Sequence, residues 1–169
     1  MPTTDAEHNL LKNLSAEFEI KGQVQRQKRI MATVKQDHLL PVCSWLHNQG
    51  FSHLSAISAT DWPEKKTFEL THHLWSYEQK MLITVKTNIS REKPEIESVI
   101  SIWDNNAQIH ERELHELFGI QFKGNPDLAP LFAEEWDGPP AFRKDFDWRT
   151  YVQKHIYKKD AEREQGYYD

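Results

Sequence analysis

The densest set of reactive side chains in this 169-residue chain is AQIHERELHELFGI, residues 107–120. Two histidines, three glutamates and an arginine fall between positions 110 and 116. Such a set could hold a metal, form an acid–base pair, or build an ion network. HERELH invites a His-Glu-x-x-His zinc-hydrolase reading. That site needs two histidines four apart, whereas His110 and His115 are five apart, about 140° round a helix. Imidazoles so splayed would not share one ion. Glu113 and His110 are left as the acid–base pair of a stand-alone hydrolase, for which the sequence supplies no nucleophile and no metal set. Cys43 stands alone, so an internal disulfide, a Cys-rich zinc site and a thiolate-held cluster are all excluded. It falls among Val42, Trp45 and Leu46 of an amphipathic pattern and reads as a buried, inert thiol. His72 and His73 alternate across a strand, and the nine histidines, lacking ligand spacing, read as surface residues. Glycine-rich nucleotide loops and a Gly-x-Ser-x-Gly elbow are absent from the sequence.

Those side chains belong to a helix, and its phase decides what they can do. With Ile109 as origin, Ile120, Leu117, Leu114 and Phe118 lie within about 180° of arc, and Glu113 falls inside it near 40°. A carboxylate on a core-facing stripe must be paired, hydrogen-bonded or protonated. Glu113 is therefore expected to anchor an arginine or backbone donors or to act as an acid or base, unless the stripe edge is wet and it reaches solvent. Arg112 and Glu116 fall on the flank, four residues apart, as an ion pair. On this phase, if the chain docks on a partner, Glu113→Ala should weaken that assembly more than Glu116→Ala.

Residues 3–17 read as a helix capped by Thr4, with Leu10, Leu11 and Leu14 at helical spacing. Phe18–Val24 and Ile30–Val34 read as two strands around Gln25–Arg29. A helix follows over His38–Gln49, with Pro41 in its first turn and Gly50 ending it. Phe51–Thr60, Thr67–Trp75 and Lys80–Thr87 read as closely spaced, antiparallel strands. Ile96–Trp103 reads as a short strand, and Asp104 or Asn105 as the cap of the helix that Gly119 closes. The expected fold is α+β: residues 1–120 form an antiparallel sheet with helices on one face. Residues 121–169 follow as a proline-rich loop and extended C-terminal docking arm.

Composition supports that division. Four of the eight prolines lie in residues 121–148, apolar residues make up 38% and mean hydropathy is −0.77, so part of the chain is not packed core. The last third carries Trp136, Phe142, Phe146, Trp148, Tyr151, Tyr157, Tyr167 and Tyr168, which need a surface to cover. In WDGPPAFRKDFD, residues 136–147, Arg143, Lys144 and Asp145 lie between phenylalanines on proline-rich backbone, as in a docking loop. Arg143 is a candidate bidentate partner for Glu113 or Glu111. A net charge of −5 without a long basic block speaks against nucleic acid as the main partner. No apolar run reaches the roughly 18 residues of a membrane span, and the start MPTTDAEHNLLKNL does not read as a secretory signal. The expected compartment is the reducing cytosol.

HERELHELFGIQFKGNPDL, followed by WDGPP and FRKDF, resembles the 30 kDa subunit family of complex I, the proton-pumping NADH–quinone oxidoreductases. Glu111, Arg112, Glu113, Glu116, Leu117, Phe118, Gly119, Pro126, Asp127 and Leu128 fit its pattern, as do Trp136, Gly138, Arg143, Lys144, Asp145 and Phe146. The lead-in Pro94, Ser98, Val99, Ile102 and Trp103 is similar too, so the likeness covers about residues 80–147 well. Asn125 replaces the family's histidine, Ala129-Pro130 replaces a basic pair, and Pro140-Ala141-Phe142 replaces Pro-Leu. These departures fall in a loop expected to touch neighbouring subunits. Membrane-bound nickel–iron hydrogenases and deazaflavin-linked dehydrogenases use related subunits. The resemblance implies a scaffold subunit of the peripheral arm, without flavin or iron–sulfur cluster of its own. Its implied partners are a large hydrogenase-like subunit that helps form the quinone pocket and iron–sulfur subunits. Contact with the cytoplasmic side of the membrane would be indirect. In that setting Glu111, Arg112, Glu113 and Glu116 would form the structural ion network, and Asp127, Arg143, Lys144 and Asp145 the docking loop.

Overall fold

The computed structural model describes residues 5–157. Helix α1 (Asp5–Glu17) leads into the hairpin β1 (Lys21–Arg26) and β2 (Arg29–Thr33). Helix α2 (Leu39–Asn48) precedes three ten-residue strands, β3 (His53–Trp62), β4 (Thr67–Ser76) and β5 (Met81–Ser90). The short strand β6 (Glu95–Glu97), helix α3 (Ile100–Phe118), strand β7 (Gln121–Lys123) and the short helix α4 (Trp148–Val152) follow. The proposed cap Thr4 and the tyrosines Tyr167 and Tyr168 lie outside the described residues.

The fold is α+β, with a five-stranded sheet in the order β1-β2-β5-β4-β3. Strict alternation builds its inner face. Phe68, Leu70, His72, Leu74 and Ser76 of β4 pair with Ile89, Thr87, Val85, Ile83 and Met81 of β5, and all ten are buried. Helix α1 adds Leu10 and Leu14, α2 adds Leu39, Val42, Cys43 and Leu46 at helical spacing, and α3 adds Trp103, Ala107, Leu114 and Phe118 to the same core. Cys43 is inaccessible and burial pushes its thiol pKa up, which keeps it inert. The opposite sheet face is only partly covered.

Two expectations are corrected. The sheet is not wholly antiparallel: β2 and β5 run parallel, with Ile30 opposite Ile83 and Ala32 opposite Val85. That pairing is non-local, because α2, β3 and β4 intervene, and it is set by matching inner faces rather than by a turn. Ile96–Trp103 is not one strand either. Extended chain stops at Glu97, and the α3 chain starts at Ile100 with a break at Trp103–Asp104, where Asp104 adopts φ 36°. The regular helix to Phe118 follows that break. Strand β7 pairs in parallel with β6, so the chain leaving α3 returns to the domain at once.

Residues 124–147 have no regular structure and lie back on the domain. The Phe142 amide donates to the Leu117 carbonyl at 3.0 Å. Gly119, at φ 76°, allows this course: a Cβ there would sit 3.0 Å from Pro140 Cγ in a backbone region unfavourable to other residues.

Candidate functional site

Helix α3 carries the residues that the sequence singles out, but its phase is displaced from the expected one. Ile109, taken as the centre of the apolar stripe, is 53% exposed. The buried line is Ala107, Glu111, Leu114 and Phe118, centred on the far side of the helix. Glu111, not Glu113, is therefore the carboxylate in the core, fully inaccessible to solvent. Its Oε2 accepts from the Ser98 hydroxyl at 2.6 Å and the Asn125 amide at 2.8 Å, and its Oε1 from the Val99 amide at 2.8 Å. Burial raises its pKa above the ordinary carboxylate value, and the three donors act against that rise. Among the described residues no cation takes part in the cage. It ties the entry of α3 to the loop after β7 through neutral donors.

Glu113 lies on the half-exposed flank, and its Oε2 is 3.9 Å from His110 Nδ1. That separation is longer than a hydrogen bond. Among the described residues no group of three or more histidine, cysteine or acidic side chains could hold a metal.

The other flank of α3 binds backbone. Gln108, Arg112 and Glu116 are spaced four apart and meet successive parts of one passing segment. Gln108 Nε2 donates to the Asp127 carbonyl at 2.6 Å. Arg112 donates to the Ala129 and Pro130 carbonyls, each at 2.9 Å. Glu116 accepts from the amides of Leu131 at 2.6 Å, Phe132 at 3.0 Å and Ala133 at 2.8 Å. Burial works to raise the Glu116 pKa, but those amides and the nearby Arg112 charge outweigh it and hold it low. The expected Arg112–Glu116 ion pair is replaced by a ladder in which each side chain takes the backbone groups it can satisfy. Asp127 shapes the same segment by accepting from the Ala129 amide at 2.9 Å. Asn125 points its side chain inward to Glu111, whereas Ala129 and Pro130 give Arg112 only backbone carbonyls and remain exposed.

The end of the sheet holds the segment's second half. Asp61 and Arg91 form a bidentate pair, Nε to Oδ1 at 2.7 Å and Nη2 to Oδ2 at 3.1 Å, with the Asp61 side chain 1% exposed. Arg91 Nη1 also donates to Asp145 at 3.1 Å, and the Lys144 amide donates to Asp61 at 2.9 Å. Burial works to raise the Asp61 pKa, but Arg91 and the Lys144 amide outweigh it, leaving it low. Arg91 likewise holds Asp145 low, and the two carboxylates raise Arg91. Arg143 is not paired with Glu111 or Glu113. Its Nε donates to the Phe118 carbonyl at 2.9 Å, closing the C-terminus of α3, and its guanidinium lies 5.4 Å from the Phe68 ring centre. The Lys144 ammonium lies 5.4 Å from the Trp62 ring.

The eight residues singled out from the sequence thus cluster around one task, except Glu113. Asp61, Arg91, Ser98 and Asn125 were missed as functional residues. Asp61 had a readable signal: alternation from Ile57 and Ala59 puts it on the buried face, where an aspartate needs a partner. His72 had the same signal, alternating with Phe68, Leu70 and Leu74; it is 1% exposed rather than at the surface, and burial, with His73 and His110 nearby, lowers its pKa to about 3. Chemically, the arrangement holds an irregular segment in one conformation. Phe132 and Phe142 of that segment, and Trp148 at the start of α4, remain 65%, 60% and 56% exposed. Trp136, Phe146 and Tyr151 form a local aromatic cluster with ring centres 5.1–6.0 Å apart.

Residues 32–152 match the family model described as the respiratory-chain NADH dehydrogenase 30 kDa subunit. The corresponding subunit of the F(420)H(2) dehydrogenase of Methanosarcina mazei is 38% identical over 121 residues, spanning 70% of this chain and 76% of that protein. The corresponding subunit of the NADH-quinone oxidoreductase of Moorella thermoacetica is 36% identical over 119 residues, spanning 69% and 79%. Among solved structures, a chain of the membrane-bound sulfane sulfur reductase, an archaeal respiratory membrane complex, superposes with a TM-score of 0.70. It is 28% identical, covering 91% of this chain and 92% of that one. The buried Glu111 cage, the α3 ladder and the Arg143 cap therefore belong to a member of the complex I 30 kDa subunit family.

Proposed function

We propose that this chain is a scaffold subunit, without a redox group of its own, in the peripheral arm of a membrane-associated, redox-driven ion-pumping oxidoreductase. In this reading it packs against the large hydrogenase-like subunit beside the quinone site. The iron–sulfur clusters, and the flavin or its equivalent, lie in partner subunits. It reaches the cytoplasmic face of the membrane through those partners; among the described residues no helix is long and apolar enough to cross a bilayer. The observation that carries the proposal is the use of the family's charged residues. Arg112, Glu116, Arg143 and Asp145 fix residues 127–145 on the domain, while Phe132, Phe142 and Trp148 stay open. A segment ordered in advance, with aromatic side chains outward, loses little entropy on docking and supplies anchors of the kind interfaces favour. Arg143, Lys144, Asp145 and Asp127 then act on partners through the segment they shape.

The test is to tag the chain in its host, solubilise membranes gently and identify what co-purifies. Iron–sulfur proteins together with antiporter-like membrane subunits support the proposal. The input module recovered with them separates an NADH, a deazaflavin and a hydrogenase-type complex. Recovery of the chain alone from the soluble fraction refutes it.

A further inference from the structure

At the end of the sheet away from Arg91, a recess of about 430 Å³ is lined by Arg26, Gln27, Lys28, Arg29, Trp75 and Lys80. Trp75 sits on the open sheet face, because Leu74 and Ser76 on either side of it are buried inward. The register carries one lateral row across all five strands: Arg26 opposite Arg29, Arg29 opposite Leu82, Leu82 opposite Trp75, and Trp75 opposite His53. Tyr77, 64% exposed, extends the aromatic floor, its ring centre 6.4 Å from that of Trp75.

Four cations thus surround one tryptophan in a chain whose net charge is −5. None of the four has an ion-pair partner among the described residues, whereas Lys35, Lys66, Lys86, Arg91 and Lys123 all have one. Arg26 and Arg29 face each other directly, a pairing of like charges that costs stability within a sheet. The one acid on the β4–β5 turn, Glu78, turns the other way, with Oε2 near Gly50 at the end of α2. With no ion pair to these four side chains among the described residues, the recess is electrostatically complementary to an acidic partner.

We propose that this recess receives an acidic polypeptide segment of a partner subunit, at least two carboxylates flanking an apolar or aromatic side chain that covers Trp75. Two backbone amides beside the recess are already engaged, which leaves recognition to the side chains. The Lys28 amide is already donated to the buried Glu7 carboxylate at 2.7 Å, and the Leu82 amide to the Lys28 carbonyl at 3.0 Å, so these turn amides are not left to cradle an anion. What remains is four long side chains with separate charges, which suit carboxylates spread along a chain. Phe68, near the Arg91 end, and Trp75 are seven residues apart on β4, about 23 Å at strand spacing. The recess and the Arg91 end therefore lie at opposite ends of the sheet. The inference rests on the scaffold reading and extends it to a chain that bridges two contacts.

The tagged full-length chain is compared alone and in its solubilised assembly. Acetic anhydride reports the accessibility of Lys28 and Lys80, and a carbodiimide joins a lysine amine to an adjacent carboxylate as an amide with loss of water. The expected result is acetylation at both lysines at least tenfold slower in the assembly, with carbodiimide cross-links from Lys28 or Lys80 to Asp or Glu of another polypeptide. The R29E/K80E double variant should recover that polypeptide at least tenfold less well, and K12E, on exposed α1, as well as the unaltered chain. If the assembly is recovered but both lysines stay as reactive as in the free chain, the inference falls and the scaffold reading stands. Protection without a carboxylate cross-link means a lipid headgroup or other anion and also overturns it. If no assembly forms, the scaffold reading itself is lost, and the inference with it.

Discussion

Replacing Glu111 with alanine removes the acceptor for three donors at once. The Ser98 hydroxyl, the Val99 amide and the Asn125 amide lie 2.6–2.8 Å from its carboxylate, and Glu111 is fully inaccessible. A buried donor left unsatisfied costs about 1–3 kcal/mol, and Ser98 can turn its hydroxyl elsewhere, so two to three donors give about 2–9 kcal/mol before any cavity term. Set against the roughly 5–15 kcal/mol of a domain, this is a large share. Glu111→Gln keeps an acceptor for Val99 and carries no charge, so it should lose under about 2 kcal/mol. Urea unfolding of the full chain, followed by tryptophan fluorescence, measures both. The pKa of Glu111 is raised on folding. The stability linked to its proton is therefore fully present below the unfolded value and is lost as pH rises through the higher folded value. The wild-type advantage over Glu111→Gln should shrink across that rise. A loss below about 1 kcal/mol for Glu111→Ala, or an equal loss for both variants, would refute the view that acceptor loss, not charge, is what matters at this site.

Three further outcomes are expected. Glu116→Ala should speed hydrogen exchange at Leu131, Phe132 and Ala133 by about 10–100-fold, the loss of two to three half-exposed bonds, while Glu113→Ala leaves exchange there within about twofold. Asp61→Asn should cost about 3 kcal/mol or more, because it breaks a pair with an almost fully buried carboxylate, whereas Asp145→Asn, 62% exposed, should cost under about 1 kcal/mol by thermal unfolding. Asp61, Asp145 and Glu116 all have lowered pKa values, so what they contribute is complete above the ordinary carboxylate value and is lost as pH falls through the lowered ones; cleavage by an acid-active protease within residues 127–145 should rise below about pH 4 and be absent at pH 6.

The elements were legible because their signals are local. Alternation marked the strands, Leu39, Leu40, Val42, Trp45 and Leu46 marked α2, and Gly119 marked the end of α3. The block of family residues named the family. The phase of α3 was not legible in the same way. Taking Ile109 as the centre assumes that a large apolar side chain must be buried, but apolar side chains often remain at surfaces. What fixed the phase was a small residue, Ala107, and a carboxylate, Glu111, whose donors come from two other elements. Ser98 lies before the helix and Asn125 after β7, and nothing in either local sequence shows that they converge.

By itself the sequence determined the fold class, the existence of α3, the lone thiol, the failure of the zinc spacing and the family to which the 111–146 block belongs. These depend on composition, on periodicity and on motifs a few residues long. Only the tertiary structure decided which carboxylate is buried, that Arg112 and Glu116 bind backbone rather than each other, and that Arg143 closes a helix. It alone set β2 parallel to β5, bringing Arg29 to Leu82 and so to Trp75. A side chain chooses its partner from whatever the packed core brings within about 3 Å, and that neighbourhood is set by pairings between residues far apart in the chain.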